Sequence, residues 1–213
     1  MAVPLDAIRA IHSALRKDMA AIDAVAYTAA SGHAGPGLAQ RYAFLNEVLV
    51  WHAEGEEEAV FPALESVALF VVKPYELDHR GLDSLFNSLR KAVNASDHLA
   101  TARTTAALNF HLDVHLDKEE AHLYQIFNER ISLPNQGAIV KQMAQKVPQD
   151  RFPEFVRWLY ALLGPDDREN MIRIQRQALP EPVFAAATKL IQATIGNDWS
   201  ELARRIPELN SIQ

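Results

Sequence analysis

The 213-residue chain has no cysteine, 49% hydrophobic and 23% charged residues, and a formal net charge of −6. That length buries an adequate core without cross-links, and the lack of thiols excludes disulfides, thiolate zinc sites and a cysteine nucleophile. A negative balance with no basic cluster excludes nucleic acid and anionic membrane as main partners, which leaves a small ligand or ion as the better fit.

Apolar residues recur at helical spacing through four long segments and nowhere with period two, which predicts an all-α chain. The first helix is expected from about Leu5 to Thr28, with Ile8, Ile11, Leu15, Met19 and Ile22 on one side, stopped by the glycine-rich Ser31-Gly-His-Ala-Gly-Pro-Gly37. The second runs from about Leu38 to Leu64, and its stripe of Leu38, Tyr42, Leu45, Leu49, His52, Glu56, Ala59 and Ala63 carries two polar residues where a core face asks for apolar ones. The third, from near Pro74 to Val93, presents His79, Leu82, Phe86 and Leu89, and Asn94-Ala-Ser-Asp97 turns the chain into the fourth. The fourth reaches about Ile131 with the most polar stripe: Leu108, His111, His115, Glu119, His122 and Ile126. The arrangement expected over residues 1–131 is an up-down four-helix bundle.

After Leu133-Pro-Asn-Gln-Gly137 the pattern changes to shorter helical pieces punctuated by proline, a C-terminal helical extension over residues 132–213. Phe152, Phe155, Trp158, Leu159 and Leu162 should form one apolar face, and Val183, Phe184, Leu190 and Ile191 another, packing on the bundle or on a second copy of the chain. All eight histidines lie between residues 12 and 122. No apolar run of 18 residues is present to span a bilayer, and the start Met1-Ala-Val-Pro-Leu-Asp6 has neither the basic nor the apolar part of a secretory signal, so a cytoplasmic location is expected.

Antiparallel neighbours reach equal depth when they are equidistant from the turn that joins them. His12 and the His52/Glu56 pair are equidistant from position 33 in the glycine-rich turn, and His79 and the His115/Glu119 pair from position 98. The remaining midpoint, about position 66, falls somewhat ahead of Pro74. Four helices thus bring His12, His52, Glu56, His79, His115 and Glu119 to one layer on core faces. His-x-x-x-Glu spacing puts each pair on one helix face, about a turn apart. Two buried carboxylates without lysine or arginine in the layer require a cation, at a cost of several kcal/mol each if left alone. Four imidazoles and two carboxylates exceed what one tetrahedral zinc uses, whereas two metals with bridging carboxylates and exchangeable oxygen ligands employ all six.

The remaining polar residues are placed by phase and depth. Glu54, Glu57, Glu58 and Glu120 point away from the stripe toward solvent, and His33 and His98 sit at turns roughly 30 Å from the layer. His111 stays open as a fifth imidazole or a partner of His115; His122 and Asp83 are read as rim residues. Glu76-Leu-Asp-His79 and Glu119-Glu-Ala-His122 have the Glu-x-x-His spacing of ferritin-like di-iron proteins, but that scheme needs carboxylates that the first helix lacks near the layer and leaves His12, His52 and His115 without a role.

The combination of His12, His52-x-x-x-Glu56 followed by Glu57-Glu58-Ala-Val-Phe61-Pro62, His79, and His115-x-x-x-Glu119-Glu120 resembles the hemerythrin-like, HHE cation-binding family over about residues 5–131. The resemblance implies terminal histidine ligands at His12, His52, His79 and His115, with Glu56 and Glu119 bridging two iron ions that share an oxo, hydroxo or water ligand; manganese or zinc suits the same donors. The C-terminal part resembles extensions on some bacterial members and on plant iron-regulatory proteins and carries no site across. Oxygen-carrying hemerythrins have paired histidines on the third helix and a final aspartate, where this chain has Tyr75 and Asp83 around His79 and ends the set with Glu119, so a carrier role is not implied. The ligase modules attached in some relatives have no counterpart in these residues.

The function expected is a di-iron protein that binds or senses dioxygen, peroxide or nitric oxide, or that handles iron. The alternatives are a di-iron enzyme with turnover, catalase-like or nitric-oxide-reducing, and a metal-responsive interaction protein.

Overall fold

The computed structural model describes residues 2–31 and 37–211. His33 and most of the glycine-rich turn lie outside the described residues. Every regular element among the described residues is helical, and none of the helices is long and apolar enough to cross a membrane. Backbone contacts divide the chain into two compact units, Leu15–Ile131 and Met1–Ala14 with Ser132–Gln213.

The unit Leu15–Ile131 is the bundle. Helix α1 spans Leu5–Ala30, with Leu15, Met19, Ile22 and Ala26 buried within this unit. Gly37, at φ 73°, is in the left-handed conformation that glycine adopts without strain, and α2 follows over Leu38–Gly55. Here the structure departs from an unbroken second helix: a single π turn occupies Glu56–Val60 before α3, Phe61–Glu65. Helix α4, Lys73–Asn94, begins with Pro74 in its first turn, where a missing N–H costs nothing. Helix α5, His98–Lys118, is capped by Asp97, whose carboxylate accepts the Ala100 N–H at 2.9 Å. A second π turn, Glu119–Leu123, separates α5 from α6, Tyr124–Arg130.

The connection between α3 and α4 explains why its expected midpoint fell early. Glu65 turns its carboxylate back onto residues 66–72 and accepts the Phe70 N–H at 2.9 Å and the Val72 N–H at 3.2 Å. That loop delays the next helix, and the π turn before it spends extra residues on the same advance.

Leu45, Val48 and Leu64, Leu82, Phe86 and Leu89, and Leu108, Leu112, Leu116 and Phe127 complete the apolar part of the bundle core. Charged groups fix the helices laterally. Arg16 reaches Asp113 at 2.9 Å, Asp117 at 2.6 Å and Glu120 at 2.7 Å, and Arg41 reaches Asp18 at 2.8 Å. A forked guanidinium with three carboxylates on one neighbouring strand of helix sets both height and rotation of α1 against α5.

In the other unit, α7 (Leu133–Ala144), α8 (Phe152–Leu162), α9 (Pro165–Ala178) and α10 (Glu181–Ile195) each carry proline in the first turn, so Pro134, Pro153, Pro165 and Pro182 sit at helix starts. Helix α11 follows at Trp199–Arg205. Ala7, Ala10 and Ala14 of α1 share its core with Val156, Leu159, Tyr160, Ile172, Phe184, Ile191 and Leu202. The buried face of α8 is therefore centred on Val156, Leu159 and Tyr160, with Phe152, Phe155, Trp158 and Leu162 only partly covered. On α10, Phe184 and Ile191 are buried, whereas Val183 is 45% exposed.

Candidate metal centre

The second and fourth long helices deliver the carboxylates, and they do it in the same way. Each π turn begins at the glutamate of a His-x-x-x-Glu pair, Glu56 in one and Glu119 in the other. A π turn is a costly insertion that recurs at functional sites, because it changes the phase of the side chains that follow. Both glutamates are fully buried, and His52, His79 and His115 are nearly so.

One potential ligand atom from each of Glu56, His79, His115 and Glu119 lies within 4.8 Å of all the others. His52 Nε2 is 3.6 Å from Glu56 Oε2, His79 Nε2 is 3.4 Å from the same oxygen, and His115 Nε2 is 3.4 Å from Glu119 Oε1. The rings of His79 and His115 meet edge to face at 4.8 Å. The structure thus brings together His52, Glu56, His79, His115 and Glu119. His12 is completely buried on α1, in the segment Met1–Ala14 that groups with Ser132–Gln213, and its assignment as a ligand rests on the sequence.

Around this layer are partners that sequence phase did not find. Glu57 Oε1 is 2.8 Å from His79 Nδ1, although simple helical phase points Glu57 to solvent. Asp78 Oδ2 lies 3.5 Å from His115 Nδ1 and is itself held by the Lys118 ammonium. Tyr124, the residue after the second π turn, donates its hydroxyl to Glu56 Oε1 at 2.8 Å. At the matching place after the first π turn, Phe61 stacks on the His79 ring with centroids 5.5 Å apart. No periodicity in the sequence signals these contacts, since each depends on a change of phase at a π turn or on a neighbour from another helix.

The electrostatics are those of a cation site. Burial pushes the Glu119 carboxyl well above the ordinary carboxylate range, and the charges of Glu56, Asp78 and Glu120 add to it. At His79 burial opposes the charged ring, yet Glu56 and Glu57 outweigh it and raise its affinity for a proton. The same burial and the neighbouring Glu119 and Asp78 push the Tyr75 phenol up to about 12. Divalent ions among these donors would supply the positive charge that lets both glutamates ionise, and His79 directs Nε2 at Glu56 within the same layer. The donor set of imidazole and carboxylate therefore fits first-row transition metals.

A cavity of about 20 Å³ touches His52, His79 and His115 and is walled by Leu82, Phe86 and Leu116. It admits something the size of one water molecule. Several histidines stay out of the layer. His111 is exposed with its ring against Phe110, and His98 is exposed at the start of α5. His122 is exposed and pairs through Nδ1 with the Tyr75 hydroxyl at 3.0 Å. Asp83 is also exposed.

Residues 3–76 match the family model of the Hemerythrin HHE cation binding domain. That segment holds His12, His52 and Glu56; His79, His115 and Glu119 lie beyond it and are joined to it by geometry. Among curated proteins the chain is similar to Zinc finger protein BRUTUS of Arabidopsis thaliana, 26% identical over 192 residues that cover 86% of this chain and 15% of that protein. It is also similar to Zinc finger protein BRUTUS-like At1g74770 of the same plant, 26% identical over 179 residues, covering 76% and 14%. The chain therefore spans about one seventh of the length of these relatives. No solved structure matches.

Proposed function

We propose that this chain, whose N-terminal helices are those of a hemerythrin HHE cation binding domain, is a di-iron protein that binds or senses dioxygen, peroxide or nitric oxide, or that handles iron. The observation that carries the reading is the pair of fully buried glutamates, each opening a π turn, with ligand atoms of Glu56, His79, His115 and Glu119 within 4.8 Å of one another.

His52, His79 and His115 would each offer one ring nitrogen, Glu56 and Glu119 would each offer a carboxylate, and His12 would complete the set by its depth in the sequence and its burial. Bound iron would supply redox chemistry and open coordination positions. The chain's own contribution is to hold the donors, exclude bulk water and limit what approaches. A cavity of about 20 Å³ beside three imidazoles favours a diatomic or peroxide-sized partner over an organic substrate.

The test is metal analysis of the purified protein and of its apo form reconstituted anaerobically with ferrous iron. The expected result is about two irons per chain and an optical spectrum that changes on adding peroxide or oxygen to the reduced protein. Glu56→Ala and Glu119→Ala should remove the metal while His33→Ala keeps it. Equal metal content in all three variants, or none in the wild type after reconstitution, overturns the reading. Repeated consumption of peroxide or nitric oxide would assign turnover, and reversible binding would assign sensing.

A further inference from the structure

His79 is gripped on three sides. Its Nε2 faces Glu56 Oε2 at 3.4 Å, its ring plane lies 15° from that of Phe61, and its Nδ1 is 2.8 Å from Glu57 Oε1. A neutral imidazole carries one N–H, and the nitrogen that bears it cannot bind a metal. A carboxylate at Nδ1 keeps the proton there and leaves the Nε2 lone pair directed at the layer.

We propose that Glu57 is a positioning residue for metal binding: it accepts the Nδ1–H of His79 and so fixes the tautomer and the orientation in which His79 presents Nε2. The inference rests on the metal-site reading above. It is specific to this residue, because the Glu-Glu doublet of the other π turn is used differently. Glu120 occupies the place after Glu119 that Glu57 occupies after Glu56, and it is taken by Arg16 at 2.7 Å. Two consecutive side chains at the start of the π turn face one neighbour, Glu56 at Nε2 and Glu57 at Nδ1 of the same ring. Phe61, the first residue after that turn, closes the third side.

The Glu57 side chain is 46% exposed, so it can be replaced without opening the core. The experiment is anaerobic titration of the apoprotein with ferrous iron, together with nitrogen NMR of the histidine side chains in the zinc-loaded protein. Glu57→Ala should weaken iron binding about 10-fold to 100-fold and release His79 from the single Nδ1–H form. Glu57→Gln, which keeps a carbonyl acceptor, should recover most of the affinity and the tautomer. Glu58→Ala, one residue along on the exposed side, should match the wild type. Wild-type affinity and an unchanged His79 signal in Glu57→Ala overturn the proposal and leave the metal site standing. A wild-type protein that takes up neither metal overturns both.

Discussion

The two units solve the burial of charge in opposite ways. In Met1–Ala14 with Ser132–Gln213, Arg168 is buried and the chain itself satisfies it, through the Tyr160 carbonyl at 3.0 Å and the Asp198 carboxylate at 2.7 Å. In Leu15–Ile131 two fully buried glutamates lie among imidazoles, and burial together with Glu56 raises the proton affinity of Glu119. A cation among those donors would let both glutamates ionise. The two units thus differ in how their buried charged groups are accommodated, and that difference can be pressed experimentally.

The largest effect is expected in the apolar unit. Phe184 is 1% exposed at the centre of that core, and Phe184→Ala should cost about 3–5 kcal/mol, read as faster amide exchange in residues 152–206, with metal content unchanged. Loss of metal from this variant would break the comparison, because it would make the two cores one. The next effect is the converse. Stripping the metal with a chelator should remove about 2.7 kcal/mol of stability at a free metal concentration 100 times the Kd, or about 4.1 at 1,000 times, and the loss should be largest in amides of the helices that carry the proposed ligands. Uniform loss of protection along the chain would sink the idea that the charge imbalance belongs to the bundle alone.

What the sequence disclosed follows from the same physics. Helical spacing and turn residues are local, so the long segments and the α4–α5 turn could be read directly: Asp97 caps α5 one residue from the position that depth required. The inward phase of His52, Glu56, His79, His115 and Glu119 was legible because those residues interrupt apolar stripes. Glu57 is exposed, as its phase requires, and its carboxylate also reaches His79, which phase alone does not show. Asp78 and Tyr124 were invisible for another reason. Their partners, His115 and Glu56, are on other helices, and no spacing within one helix encodes them. Pro134, Pro153, Pro165 and Pro182 interrupt the pattern because each stands at the start of a new helix.

The smallest test contrasts one buried tyrosine from each unit. Tyr160 donates to the neutral amide oxygen of Gln175 at 2.8 Å, and Tyr124 donates over the same distance to the carboxylate of Glu56. Equal distances hide unequal strengths, since a hydrogen bond to an ionised acceptor is worth about 1.5–3 kcal/mol and a neutral one about 0.5–1.5. In the metal-loaded protein, where Glu56 carries its charge, Tyr124→Phe should therefore destabilise its unit more than Tyr160→Phe destabilises the other. The ring itself is tolerated at that position of the motif, as Phe61 shows after the first π turn, so a change in Tyr124→Phe reports the lost hydroxyl. The measurement is denaturant unfolding of both variants with metal bound. Equal losses would mean that Glu56 is not charged in the loaded state, which is incompatible with its proposed role as a metal ligand.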